Sequence, residues 1–222
     1  MNRLDILKLE AVHIWNKFTL QNRFREKAAK REFHQVLAAL TPSDIAIDLG
    51  ANVGEFTLQL AKTGAQVFAI EPDPHAFSIL QDATKDLPNV TLINAAATDT
   101  EGEMMLYRSA SFDKSPDRLT KSSSLFADKK NVSNENGFTV QTIDFCKFLQ
   151  NLNTPVKLIK VDIEGAEVPL FENIFDQKLE QLFEHAFVET HERDIPEIAK
   201  RTKRLKQKTQ GAKQPSINWD WH

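Results

Sequence analysis

The chain has 222 residues, 41% of them hydrophobic and 27% charged, and its 28 Lys and Arg against 31 Asp and Glu leave a net charge of −3. That length can bury a full core as one domain with extensions, and the near balance of charge gives no global cause to expect a nucleic-acid or membrane partner. Cys146 is the single cysteine, which excludes an internal disulfide and a cysteine-rich zinc site.

From the amino terminus, Leu4, Leu7, Val12, Trp15, Phe18, Phe33, Val36, Leu37 and Leu40 recur at roughly helical spacing. This predicts one or two helices, an N-terminal helical extension over residues 1–40. Arg3, Asp5, Lys8 and Glu10 interrupt any apolar signal-peptide core, and no run of about 18 apolar residues occurs. The expectation is therefore a soluble, cytoplasmic protein with no membrane span. Thr41-Pro42-Ser43-Asp44 breaks the helical pattern, and a domain over 41–222 is expected to follow. Its elements alternate: strand Ile45–Asp48, helix Gly54–Lys62, strand Ala65–Ile70, helix Pro74–Thr84, strand Val90–Asn94. A strand over Glu103–Tyr107 is followed by a polar stretch, Arg108–Gly137, whose length inside a compact domain points to function. Then come strand Phe138–Thr142, helix Phe145–Leu152, strand Val156–Val161, helix Ala166–Phe175, strand His185–Val188, a basic helix Ile195–Lys208 and a short tail.

Several of these strands are nearly continuous apolar runs, the mark of parallel strands covered on both faces. Alternating strands and helices predict an α/β, doubly wound, Rossmann-like sheet. In such a sheet a ligand sits beyond the carboxyl ends of the strands, so the residues just after each strand matter most.

The first strand runs into Asp48-Leu49-Gly50-Ala51-Asn52-Val53-Gly54 and a helix. Its glycines suit a tight turn and a close ligand, but the spacing is not that of the dinucleotide fingerprint. Asp48 would repel a pyrophosphate and attract the ammonium and sulfonium of S-adenosylmethionine, which carries no phosphate. Glu71, in Glu71-Pro72-Asp73-Pro74, lies 23 positions on, near the about 20 residues that place an acid on a ribose diol in nucleoside sites. Asn94 and the small Ala95 and Ala96 end the third strand, where an adenine would fit. Asp162 and Glu164 share one side after the fourth strand, as do Glu189 and His191 after the fifth, if strand alternation continues. An imidazole there suits a general base.

Three stretches together resemble the FkbM family of S-adenosylmethionine-dependent methyltransferases: Ile47–Gly54, Glu71–Pro74 and Leu158–Glu167. The resemblance covers roughly residues 44–192, and its most specific part is Lys160-Val161-Asp162-Ile163-Glu164-Gly165-Ala166-Glu167. It implies the seven-stranded methyltransferase sheet, with 41–222 as the methyltransferase domain. It also implies O-methylation of a hydroxyl on a sugar, glycan or other small natural product. S-adenosylmethionine would then be held by Asp48, Gly50, Ala51, Asn52, Gly54 and Glu55, by Glu71, Pro72 and Asp73, by Asn94 and Ala95, and by Asp162. His191, held by Glu189, would take the acceptor proton, with Asp162 or Glu164 in reserve. The polar stretch, including Ser122-Ser123-Ser124, would cover the acceptor.

Three other readings compete. Lys200, Arg201, Lys203, Arg204, Lys206 and Lys208 could meet nucleic-acid phosphates, although Asp162-Ile163-Glu164-Gly165 lacks the Asn/Asp-Pro-Pro-aromatic motif of amino-directed base methyltransferases. A non-catalytic module that senses S-adenosylmethionine would have lost the strand-end acids, and they are present. Asp162, Glu164, Glu189 and His191 could gather around Mg²⁺, but spacing alone is poor evidence and no metal is assigned. The sequence assigns neither the acceptor's identity nor an oligomeric state.

Overall fold

The computed structural model describes residues 3–109, 123–126, 129, 132, 136–212 and 214–221, with side chains described from residue 20 onward. Residues 3–39 form one helix, α1 (Arg3–Ala39). Then follow β1 (Ile45–Leu49), α2 (Glu55–Ala61), β2 (Gln66–Ile70), α3 (Pro74–Thr84), β3 (Val90–Ile93), β4 (Ala96–Thr98) and β5 (Gly102–Tyr107). The second half holds β6 (Gly137–Asp144), α4 (Phe145–Asn151), β7 (Val156–Val161), α5 (Glu167–Asp176), β8 (Phe183–Val188), α6 (Ala199–Thr209) and β9 (Ser216–Asn218). The central part of the polar stretch, residues 110–122, lies outside the described residues, and so does Ser122.

Six strands make one sheet in the order β3-β2-β1-β7-β8-β9, every neighbouring pair parallel. This is the doubly wound arrangement, but with six strands among the described residues where seven were expected. After β8 the chain crosses once, through α6, and returns as the single parallel strand β9. That strand was read as tail because Ser216-Ile217-Asn218 is too short and polar to announce itself. A second, three-stranded sheet, β4-β6-β5, stands apart; β4 runs parallel to β6 and β5 antiparallel.

Alternation along the strands fills both faces. Ile45, Ile47, Leu49, Ile159, Val161, Ala186 and Val188 pack with Phe145, Val168, Phe171 and Ile174 from α4 and α5. Ala46, Val67, Leu158 and Phe187 pack on the opposite face with Ala29, Phe33 and Val36 of α1, Leu40 just beyond it and Leu60 of α2. Phe33 lies 5.3 Å from Phe187 and 4.5 Å from Trp221, ring centre to ring centre. The end of α1 is thus part of the main core. Glu32 adds bonds from Asn218 at 2.7 Å and Ser216 at 3.3 Å, fastening α1 to the β9 edge. No helix among the described residues is long and apolar enough to cross a membrane.

Candidate functional site

β1 is the switch point: α2 carries the chain to β2 on one side, and β7 joins later on the other. At the carboxyl ends of these strands opens a cleft of about 790 Å³, open solvent included. Gly50, Ala51, Asn52, Glu55, Glu71 and Pro72 line it from the β1 and β2 ends; Lys160, Asp162 and Glu164 line it from the β7 end. Ala96, Ala97, Leu106 and Leu125 supply apolar walls from the small sheet and the segment beside it.

On the β1–β2 side the chain is held mainly through backbone groups. Gly50 has φ +74°, and a Cβ there would stand 1.8 Å from the Asp162 carbonyl oxygen. The space beside Gly50 is therefore used by the protein's own β7 end, not by a ligand. Gly54 (φ +95°) likewise leaves room for Leu80. Glu71 is buried, and its carboxylate accepts the Asn52 N–H at 2.8 Å and the Asp73 N–H at 2.7 Å. Burial still pushes its pKa up to about 7, against the pull of those two amides. Its four lone-pair sites leave capacity for further donors from the cleft.

Five expected cofactor-binding residues lie outside the cleft lining: Gly54, already described, and Asp48, Asp73, Asn94 and Ala95. Asp48 is fully buried and takes the Thr57 hydroxyl at 2.7 Å and the Lys160 ammonium at 3.2 Å. An acid that already faces a buried ammonium is not available to a ligand's charge. Asp73 caps α3 through the His75 and Ala76 amides and pairs with Arg108, whose guanidinium holds its carboxyl below the usual range despite burial. Asn94 donates to the Glu71 carbonyl at 2.7 Å, so it braces the β2 end. Ala95 is buried beside it.

On the β7–β8 side the side chains form a network. Asp162 is about a third exposed, yet its Oδ1 is buried and accepts no hydrogen bond among the described residues. Burial raises its pKa to about 7; Lys160 opposes this, Glu189 and Glu164 add to it, and His191 opposes. His191 offers Nδ1 to Glu167 at 3.0 Å and Nε2 to Glu164 at 3.0 Å, with Asp162 at 3.7 Å. Burial alone would lower its pKa, but the bonds to Glu164 and Glu167 raise it to about 11. An imidazolium with both N–H groups committed to carboxylates has no lone pair to accept a proton. The expected base is therefore better described as a fixed cation. The expected Glu189 partnership also gives way to Glu167 and Glu164, because the chain turns after β8 and strand alternation stops.

Glu164 is further tied to Lys129, so a cation from the polar stretch already neutralises it. Asp162, Glu164 and His191 place one ligand atom each within 4.8 Å of the others, near enough to share an ion. Lys129 and the imidazolium provide positive charge at that spot without one. Lys160, Glu167 and Lys129 are the site residues that had no assigned role from sequence. Two had a signal: Lys160 is a charge within a strand covered on both faces, and Glu167 opens a helix otherwise made to be buried. Lys129 had none.

A model of the methyltransferase FkbM domain matches residues 48–209. The chain is 38% identical over 80 residues to ribosomal RNA small subunit methyltransferase A of Thermotoga maritima, which is 36% of this chain and 26% of that protein. It is 24% identical over 166 residues to the hexuronic acid methyltransferase AglP of Haloferax volcanii, 71% of this chain and 64% of that one. A crystal structure of an rRNA methylase from Streptococcus thermophilus is similar over 28% of this chain and 37% of its own, with 26% identity and a TM-score of 0.27. The chain thus spans well under half the length of the Thermotoga maritima relative.

Proposed function

The chain belongs to the FkbM methyltransferase family, and we propose that it transfers the methyl group of S-adenosylmethionine to a hydroxyl oxygen of a sugar. One observation carries this reading: Glu71 and Asp162 line a single cleft at the β1/β7 switch point. The donor set fits a phosphate-free, cationic nucleoside. Glu55, Glu71, Asp162 and Glu164 are acids, and the one lysine of the lining, Lys160, is bound to Asp48 and to the Gly50 carbonyl. A pyrophosphate would meet repulsion here.

Glu71 would hold the ribose hydroxyls while Gly50, Ala51 and Asn52 flank the methionine end, and Ala96 and Ala97 give a flat apolar wall. S-adenosylmethionine bound there would supply a methyl group activated by its sulfonium, for transfer to an acceptor oxygen with S-adenosylhomocysteine as the leaving group. Asp162 would take the hydroxyl proton, since a carboxyl near pKa 7 is half ionised at neutral pH and is close to the ideal for a general base. Lys160 and the His191 imidazolium would hold Asp162 between them. The rest of the enzyme's contribution is alignment, which lowers a barrier by up to about 7–11 kcal/mol in favourable cases.

The sugar acceptor rests on the AglP likeness, which covers twice the share of this chain that the Thermotoga maritima ribosomal RNA methyltransferase does. The test has two parts. Calorimetry should detect binding of S-adenosylmethionine and S-adenosylhomocysteine; binding of NAD with no heat from either would overturn the cofactor. Tritiated methyl groups should pass to a glucuronic-acid-terminated disaccharide. Label appearing instead on an rRNA fragment would replace the sugar by a base.

A further inference from the structure

We infer that Glu167, acting with His191, is a positioning residue that sets the Asp162 carboxylate by fixing the turn from Asp162 to Gly165. This rests on the reading of Asp162 as proton acceptor. Glu167 is fully buried in the first turn of α5. Its Oε1 accepts the Ile163 N–H at 3.0 Å and its Oε2 the Gly165 N–H at 2.9 Å. The same Oε1 lies 3.0 Å from His191 Nδ1. One carboxylate therefore gathers the amides on both sides of Glu164 and the ring that holds the Glu164 carboxylate.

The turn needs such a device. Glu164 has φ +56°, a left-handed conformation that a residue with a Cβ rarely adopts unaided. Gly165 follows at φ +115°, where a Cβ would stand 2.3 Å from Ile195 Cδ1. The Glu164 carbonyl is caught by the Ser124 hydroxyl at 2.6 Å. Upstream, the Asp162 N–H donates to the Leu49 carbonyl at 3.0 Å. Asp162 is thus anchored to β1 on one side and to the Glu167 clamp on the other, and little beyond its own side-chain torsions remains free.

Three donors converge on the two oxygens of Glu167, and a neutral amide in its place would turn an N–H toward one of them. Asp162 in turn faces Lys160 of β7, itself paired with Asp48 of β1, Glu164 of the turn, and Glu189 and His191 beyond β8. Lys129, on Glu164, adds a charge from the polar stretch. Moving the turn would move Asp162 within all of these fields at once.

The experiment compares wild type with Glu167→Gln and His191→Gln, using S-adenosylmethionine and the glucuronic-acid disaccharide. Glu167→Gln should lower kcat by about 10–100-fold, the scale of a misplacement near 1 Å. The KM for S-adenosylmethionine should stay within about threefold, because Glu71 is untouched. Hydrogen exchange at the Gly165 amide should quicken in Glu167→Gln and much less in His191→Gln, which leaves the Glu167–Gly165 bond in place. His191→Gln should shift the acid limb of kcat to higher pH, since a cation beside Asp162 has gone. Unchanged kcat with Gly165 still protected would overturn the clamp. Parallel losses of kcat, cofactor affinity and melting temperature would also overturn it, by making Glu167 merely structural. Wild type that transfers no methyl group, with Gly165 exchange still quickened in Glu167→Gln, would sink the methyl-transfer reading while leaving the clamp standing.

Discussion

The two halves of the cleft are built in opposite ways. At the β1–β2 ends, the cleft-lining carboxylate of Glu71 is seated by two backbone amides within its own neighbourhood, Asn52 and Asp73. At the β7–β8 ends, Asp162 and Glu164 are seated by side chains from three separate places: Glu167 on α5, His191 beyond β8, and Lys129 in the polar stretch. Backbone cradles tolerate many side-chain changes but little backbone change. A side-chain network behaves the other way, since removing any member leaves a buried charge unbalanced. Under the proposed function, the first half would serve the cofactor and the second the acceptor.

The sharpest way to break the comparison is Asp162→Asn. It should cut turnover about 10²–10⁴-fold, the usual scale for loss of a general base, while S-adenosylmethionine still binds. Turnover close to wild type would mean that alignment alone drives the transfer and that the β7 edge is only a wall.

Glu71→Ala tests the other half and should give the complementary pattern. Loss of charge-assisted hydrogen bonds should weaken S-adenosylmethionine by about 1–3 kcal/mol, read by calorimetry, with turnover largely kept at saturating cofactor. If turnover falls and affinity holds, the two halves have been assigned the wrong way round.

pH acts on both halves over one range but through different readouts. A carboxyl raised to about 7 is mostly protonated at pH 6, so kcat should rise with pH through about 7 as Asp162 ionises. About a tenfold fall is expected for each pH unit below that point, measured at saturating cofactor. Glu71 is also raised to about 7, so cofactor affinity should strengthen across the same range, and its pH dependence should vanish in Glu71→Ala. An acid limb of kcat near pH 4 would mean that the Asp162 carboxyl is not raised, and affinity unchanged down to about pH 5 would mean the same for Glu71.

The contrast also explains what the sequence disclosed. The alternating elements, the glycine turn and the place of Glu71 at the end of β2 were legible because local chemistry decides them: an apolar strand, a φ > 0 position, an acid straight after a strand. The partners of Asp48 and Asp73 were not legible because Lys160 and Arg108 come from more than 30 residues away in the chain. His191 lies beside Asp162 and Glu164, but its bond to Glu167 was not legible, since the buried position of Glu167 depends on how α5 docks. Extending strand alternation past Val188 supplied the wrong partner, Glu189. β9 was missed because three half-polar residues pair only when α1 and β8 are already in place.

The basic helix α6 gives the smallest expected effect, and it bears on whether the acceptor half could serve RNA. Much of its charge is turned to the protein: Arg201 forks onto Glu172 with Nε at 3.0 Å, and Lys206 reaches Glu192 at 3.0 Å and Thr190 at 3.2 Å, beside His191. Lys208 lies 4.5 Å above the Phe175 ring. Lys200, Lys203 and Arg204 are exposed. If the acceptor is a sugar, the double variant Lys200→Ala, Lys203→Ala removes only solvated charge. Turnover on the disaccharide should then change less than about twofold, and stability by under about 0.5 kcal/mol. If the helix instead tracks single-stranded RNA, each lost phosphate contact should flatten the log–log salt dependence of RNA binding by about 0.7. Affinity for an rRNA fragment, measured at 50 and at 200 mM salt in both proteins, separates these cases. A steep slope in wild type that flattens in the double variant would move the acceptor from sugar to nucleic acid. A shallow slope in both proteins leaves α6 as the brace that its contacts with Glu172, Glu192 and Thr190 describe.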